Sequence, residues 1–419
     1  MIERGPVSLD ALAPRQPVAA LPEADIEQVM QEGLAACFTA AQVLVCQGRQ
    51  VLWHRAYGAA ELDSLFDLAS VTKLYTVTAF LSLASEGRVM LTLPAVDIIP
   101  EFGMLGVDDN GMRAVGETVD PLTWGTLPPN GTYEGQRVSP RKVTFRHLLT
   151  HTSGLAPWLK LFEEMGDVPP PQGIADLGER ARRYRRAVEI VSTRPFAGPP
   201  DTGIRYSDQG MILLGEAIAR LHGASLDMAV WQRVLRPLEL ESTVYNPLLA
   251  GFSPKRVVPT EFDARWRGRR AHGEVHDENA ASLGGVAGHA GLFSTAREVG
   301  IFGETWLRCI ASGEQGALLV SPDIAQEAVS IQEAEGNLRY GLGWVLKPTG
   351  DYASAGQRMS LSTFGHTGFT GTSLFIDPER DLVVAVMTNR VYHGRDPEPI
   401  AAFRPALHDT IVEALPDGK

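Results

Sequence analysis

Ser70 and Lys73 stand three positions apart in the run FDLASVTKLYTVTAFLSLASEG. Apolar residues recur at helical spacing over 72–85, and Glu86-Gly87 supplies a stop. On a helix, residues i and i+3 share a face, so the Lys73 amine can sit beside the Ser70 hydroxyl. A serine at a helix start also lies near unpaired backbone N–H groups and the positive end of the helix dipole. A partly buried lysine near apolar or cationic groups has a lowered pKa and can take the serine's proton. The chemistry implied is acyl transfer through an activated hydroxyl. The plainer alternative is an N-cap serine followed by a surface lysine. Ser139-Pro140-Arg141-Lys142 repeats the spacing, but Pro140 drives Ser139 toward an extended backbone, so the pair need not share a face.

Three further groups carry chemistry. Tyr206-Ser207-Asp208 opens an apolar helix just after Pro199-Pro200-Asp201-Thr202-Gly203. His366-Thr367-Gly368 lies on or beside a β-rich run, with a second Thr-Gly at 370–371, and glycines there permit a close backbone approach. His289 sits in Gly288-His289-Ala290-Gly291. Each has a structural alternative: a core tyrosine, a strand histidine, a loop histidine. His276, Asp277, Glu278 and His289 also have ligand chemistry. The run at 276–278 is too tight to place all three on one ion, and a cleft-lining loop held by hydrogen bonds is the preferred reading. No metal and no cofactor is expected.

The elements that must position these residues follow the chain. Residues 24–38 have helical periodicity, and AQVLVCQ and QVLWHRAYG flank Gly48-Arg49 as a hairpin. Residues 103–140 form a long glycine- and proline-rich interruption, read either as a cleft-lining segment or as a surface insertion. Helices are expected at 174–193, 208–222, 225–237, 296–311 and 398–414, and β signals return in YGLGWVL, FGHTGFTGTSLFID and DLVVAVMTNR. Strands at both ends with helices between them predict one sheet built from the two termini, carrying a helical insert. The expected organisation is an irregular leader over 1–22 and one catalytic domain over 23–415. Within it, an α/β part takes about 23–75 and 335–415, and a mostly helical part takes about 76–334.

Taken in order, FDLASVTK, YSD and HTG resemble the three motifs of the serine β-lactamase and penicillin-binding-protein superfamily. The branch is that of class C β-lactamases, DD-peptidases, D-aminopeptidases and related esterases, and HLLTHTSGL is typical of it. The resemblance covers roughly residues 25–415. VHDENAASLGGVAGHAGLFSTA and FGHTGFTGTSLFIDPERDLVVAVMTNR are similar to a subgroup of bacterial serine hydrolases found near cell-wall recycling functions. It implies an α/β (α+β) β-lactamase/transpeptidase-like fold, with an antiparallel sheet flanked by helices. It also implies Ser70 as acylated nucleophile, Lys73 as its proton partner and Tyr206 as general base and acid, its phenol lowered by Lys73 and, where charged, by His366. The backbone N–H groups of Ser70 and Phe369 would form the oxyanion hole.

Two positions depart from the motifs. Asp208 stands where asparagine is usual, and an ionised aspartate only accepts hydrogen bonds; it would pair with Lys73 or meet a substrate ammonium. His366 stands where lysine is usual, which weakens recognition of a substrate carboxylate unless Arg390 supplies the charge. Asp208, His366, Thr367, Gly368, Arg390 and His289 are thus the expected substrate-binding residues. The implied activity is hydrolysis of an amide or ester through an acyl-enzyme: a D-amino-acid peptide or muropeptide fragment, a β-lactam, or a small ester. The alternatives are a catalytically weak binding or sensor protein, against which the joint presence of Ser70, Lys73 and Tyr206 argues, and a metallohydrolase using His276 and His289.

Composition sets outer bounds. With 419 residues, 44% hydrophobic and 21% charged, the chain can bury a large core. A net charge of −12 makes nucleic acid an unexpected partner, and the basic run at 179–186 reads as a solvated helix face. The expected partner is a small-molecule or peptide substrate. Cys37, Cys46 and Cys309 lack metal-ligand spacing and read as small buried residues in a reducing compartment. The N-terminal stretch shows no secretory h-region and no run long enough to span a bilayer, so a cytoplasmic protein without membrane association is expected. The sequence carries no oligomer signal.

Overall fold

A computed structural model describes residues 21, 23–120, 123–128, 131–310 and 319–415. Apart from Leu21, the expected leader lies outside the described residues. Strands β1 (Ala40–Gln47) and β2 (Gln50–Gly58) form the expected hairpin. From the other end of the chain come β3 (Glu333–Glu335), β4 (Leu338–Tyr340), β5 (Val345–Leu346), β6 (Phe364–Thr367), β7 (Ser373–Asp377) and β8 (Leu382–Thr388). They join in one antiparallel sheet of order β3-β4-β5-β6-β7-β8-β1-β2, closed where β1 pairs with β8 from Ala41 opposite Thr388 to Gln47 opposite Leu382. The two termini therefore build one sheet, as expected.

β1 and β8 are apolar almost throughout because helices cover both of their faces. On one face α1 (Glu23–Ala36) and the C-terminal helix Glu398–Ala414 pack Ile26, Met30, Phe403 and Leu407 against Val43, Val45, Val384 and Val386. On the other face lies the helix Ala296–Ile310, whose Gly300 and Gly303 set the spacing. A Cβ on Gly300 would stand 2.0 Å from Leu44, and one on Gly303 would stand 2.7 Å from Val383. This close approach places the helix's Phe302 in a stack on Tyr75, with ring centroids 4.2 Å apart.

Tyr75 belongs to α2 (Thr72–Ser85), whose boundaries match the sequence pattern. Residues 72–83 of α2 are buried on every side, as for a helix at the centre of a protein rather than on its surface. Away from the sheet, α2 packs on α3 (Asp208–His222), which in turn packs on the helix Leu177–Thr193. Ser139 is extended, with φ −79° and ψ 120°, so the second Ser-x-x-Lys lacks the geometry of the first.

The segment 103–140 is partly ordered by two short ribbons, Arg113–Ala114 with Arg137–Val138 and Thr118–Val119 with Thr126–Leu127. Its base is anchored by Arg113, buried between Phe102 and Phe196, whose guanidinium donates to the Phe102 and Leu105 carbonyls. Its Trp124 packs on Trp158 and Phe162, with ring centroids 6.0 and 5.2 Å away, at the rim of the cleft described next.

Candidate active site

The site is built on the corner that precedes α2. Phe66 and Asp67 form a short strand against Leu292–Ser294, and a 3-10 turn at Ala69–Val71 carries Ser70 into the helix. Ala69 has φ +46°, a left-handed conformation that a residue with a Cβ adopts only under restraint. The restraint is visible. One Asp67 carboxylate oxygen accepts from Ala69 N at 2.8 Å, and the other accepts from His276 N at 2.5 Å. Thr370 Oγ1 donates to the Asp67 carbonyl, and Thr372 Oγ1 donates to the Leu68 carbonyl. Gly368 is required by the same contact, since a Cβ there would stand 2.6 Å from the Leu68 oxygen and 2.1 Å from Thr372 Oγ1.

Lys73 Nζ lies 2.8 Å from Ser70 Oγ, 3.1 Å from the His289 carbonyl and 2.8 Å from Asp208 Oδ1. It is 1% exposed. Three oxygens around an ammonium with three N–H groups describe the charged form. Burial alone would push the Lys73 pKa down, but Asp208 and Tyr206 more than reverse that and hold it above the ordinary lysine value. The expectation of a lowered lysine pKa is corrected here: the neighbour that matters is an anion, placed by α3. Ser207 caps that helix, its Oγ accepting from Gly210 N and donating to the Ala156 carbonyl, so Asp208 falls in the first turn facing Lys73.

Tyr206 precedes this cap, its ring centroid 4.8 Å from Lys73 Nζ. Burial pushes its phenol up, the Lys73 charge opposes this only in part, and Asp208 adds to the rise. The expected lowering of the phenol by two positive neighbours is therefore also corrected: burial outweighs the Lys73 charge, and His366 carries no charge to add to it. His366 is buried, its Nδ1 lies 2.7 Å from the Thr367 carbonyl, and burial followed by the Lys73 charge lowers its pKa to about 3. His151, held at φ +59°, packs tilted against Tyr206 with centroids 4.6 Å apart, and burial, then the Lys73 charge, lowers its pKa to about 3. Tyr206 is thus in contact with two neutral imidazoles.

Ser70, Tyr206, Asp208, His289 and Phe369 line one cavity of about 210 Å³. His366, Thr367 and Gly368 lie beside it, behind Tyr206 and under the Ser70 corner, and are not part of its wall. Arg390 is also off the wall. Its guanidinium stacks over Phe369 and donates to the carbonyls of Phe369, Arg395 and Asp396, which leaves it shaping the loop instead of facing substrate.

Sequence reasoning missed Arg395, which does line the cavity, along with Pro157 and Trp158. Arg395 is clamped by Glu261 and Glu278, and Glu261 also pairs with His276 Nε2 at 2.8 Å. The only signal for Arg395 was its place in the loop after the last strand, five residues beyond Arg390. His289 Nε2 pairs with Asp277 Oδ1 at 2.8 Å. These acids and histidines thus form separate pairs, and among the described residues no three His, Cys, Asp or Glu side chains converge to hold a metal ion.

The β-lactamase family model matches residues 26–406, and the chain belongs to that family of hydrolases. It is 28% identical over 366 residues to an Escherichia coli K12 protein named "Putative D-alanyl-D-alanine carboxypeptidase", covering 84% of this chain and 79% of that one. It is likewise 28% identical over 395 residues to the N-acetylmuramyl-L-alanine amidase of Bacillus subtilis 168, covering 87% and 80%. Among solved structures, EstCE1, a hydrolase with promiscuous acyltransferase activity, shares the fold with a TM-score of 0.65 at 17% identity, over 95% of this chain and 99% of that one. No described helix is long and apolar enough to cross a membrane.

The buried imidazoles dictate an acid response. His151 and His366 titrate near 3 and His408 near 4, all lowered first by burial, against an ordinary value of about 6.5. Below about 6.5 the unfolded chain binds protons that the folded protein refuses, so stability rises with pH across this window and is lost on acidification. Each such histidine contributes at most about 1.4 kcal/mol per pH unit there. The urea midpoint is expected to fall between pH 7 and pH 5, and less steeply in His366→Gln; equal midpoints at the two pH values contradict the assignment.

Proposed function

We propose that the protein is a serine hydrolase that acts through a covalent acyl-enzyme at Ser70 Oγ, on an amide or ester whose carbonyl enters the cavity. The observation that carries this reading is the buried Lys73 ammonium 2.8 Å from a serine hydroxyl that lines a cavity. A binding protein has no use for a charged lysine buried at that cost unless it handles a proton or a developing charge.

With Lys73 held cationic by Asp208, it serves as electrostatic partner and proton carrier, and base duty falls to the Tyr206 phenolate. Tyr206 would take the Ser70 proton as Oγ attacks the carbonyl carbon, then pass it to the leaving nitrogen or oxygen. A water activated by the same phenolate would cleave the acyl-enzyme and restore Ser70. The backbone N–H groups of Ser70 and Phe369, which both border the cavity, are the proposed oxyanion donors; such a donor contributes about 3 kcal/mol. The names of the relatives favour cell-wall peptides and amides as substrates, and the β-lactam and small-ester readings remain members of the same reaction class.

Two outcomes follow. A fluorophosphonate is expected to label wild-type protein once per chain, at Ser70. Ser70→Ala is expected to abolish the label and lower hydrolysis of p-nitrophenyl acetate or a D-alanyl peptide on the order of 10³-fold or more; undiminished labelling contradicts the proposal. Because burial and Asp208 raise the phenol, activity is expected to rise with pH on the alkaline side. Asp208→Asn removes one raising influence on both Tyr206 and Lys73, so this limb moves to lower pH, as read from kcat/KM against pH. Superimposable profiles count against base duty at Tyr206.

A further inference from the structure

The turn that carries Phe369 is gripped from behind by a cation that does not border the cavity. Arg404 lies on the C-terminal helix and is 7% exposed. Its Nη2 donates to the Gly368 carbonyl at 2.8 Å and to the Thr372 carbonyl at 3.0 Å. Among the described residues it forms no ion pair with a carboxylate, and its Nε has no hydrogen-bond partner. Burial, then repulsion from Arg390, lowers its pKa to about 10, so the guanidinium is charged at neutral pH. A buried cation given only carbonyl oxygens is a costly way to join a helix to a loop, since an apolar side chain avoids the desolvation.

The peptide unit it grips supplies a reason. The Gly368 carbonyl and the Phe369 N–H belong to one planar trans peptide, in which the two bonds point in opposite directions. Fixing one end therefore aims the other. The C-terminal helix covers the sheet face opposite the one that carries α2, so a carbonyl drawn toward Arg404 turns the N–H toward Ser70. Phe369 and Ser70 border the same cavity. The rest of the turn closes on itself: Gly368 N donates to the Thr372 carbonyl at 2.7 Å, and Gly371 N donates to the Gly368 carbonyl at 3.0 Å. No backbone carbonyl among the described residues takes the Phe369 N–H. A cation on the carbonyl also polarises the peptide, which strengthens donation from its N–H.

We propose that Arg404 is a positioning residue for acyl transfer, which aims and polarises the Phe369 N–H as an oxyanion donor by holding the Gly368 carbonyl. This rests on the serine hydrolase reading and adds to it a residue outside the cavity. Arg390 holds the next carbonyl, that of Phe369, at 2.7 Å. The N–H of that second unit belongs to Thr370, so Arg404 is the arginine that acts on the donor itself.

The test compares p-nitrophenyl acetate with p-nitrophenyl thionoacetate, whose C=S sulfur accepts hydrogen bonds poorly, in wild type, Arg404→Met and Arg404→Lys. A misaimed donor forfeits part of its full worth, so Arg404→Met is expected to lose about 10- to 100-fold in kcat/KM on the oxygen ester. The thiono ester is expected to lose less than about 3-fold, because it draws little from the donor. Arg404→Lys, which keeps the charge but shortens the fork, is expected to fall between. A general loosening of the loop slows both esters alike, so equal losses, or none, overturn the proposal. A second measurement needs no Arg404 variant. In protein labelled with [15N]phenylalanine, with Phe369 assigned by Phe369→Leu, phenylboronic acid bound at Ser70 is expected to move the Phe369 amide proton downfield. An unmoved resonance overturns the proposal. These results leave the serine hydrolase reading intact, whereas a Ser70→Ala protein as active as wild type overturns both.

Discussion

A buried ammonium needs acceptors, and the site depends on how the chain supplies them to Lys73. The three come from distant parts of the sequence: Ser70 one turn earlier on α2, Asp208 in the first turn of α3, and the His289 carbonyl just before the strand at 292–294. An unpaired charge at that depth would cost several kcal/mol, so the three segments are tied to one position by the same constraint. Holding α2 in place is the work of the core, where Tyr75 stacks on Phe302 and Trp306 Nε1 donates to Thr78. The close seat of the helix Ala296–Ile310 on the sheet, set by two glycines, thereby reaches the chemistry through packing.

The nucleophile corner is the second consequence. Ser70 follows a residue at φ +46°, and that conformation persists because Asp67, Thr370 and Thr372 fix the backbone leading into it. Sheet strand β6 and the loop after it are thus part of the nucleophile's mount. This explains how His366-Thr367-Gly368 can matter without bordering the cavity: Gly368 allows the loop to touch Leu68, and His366 backs Tyr206 as an uncharged ring.

Much of this was legible in the sequence. Periodicity placed α2 at 72–85, Pro140 marked the extended Ser139, and β-rich ends foretold one sheet from both termini, because these features depend on local preference and apolar pattern. Charge states were less legible, since they depend on what tertiary contact brings near. Lys73 alone reads as a lysine to be depressed by burial; Asp208, expected from the sequence to pair with it and found at 2.8 Å, reverses that together with Tyr206. His366 reads as mostly neutral near pH 7, and its burial beside Lys73 holds it neutral far into the acid range. Arg390 and Arg395 are indistinguishable in sequence. The fold binds one to carbonyls and clamps the other at the cavity with Glu261, a residue 134 positions away that no motif marks. The segment 103–140 showed its length but not its contacts, and its Trp124 packs against Trp158 at the cavity's edge.

The central claim is that Lys73 rests as a cation beside Ser70, made so by Asp208. The direct measurement is an NMR titration of the lysine side chains in uniformly labelled lysine protein, with Lys73 assigned by its disappearance in Lys73→Met. The account predicts that the Lys73 resonance keeps its protonated shift at and above the pH where exposed lysines titrate, about 10.4. A Lys73 resonance that titrates near or below neutrality would contradict it.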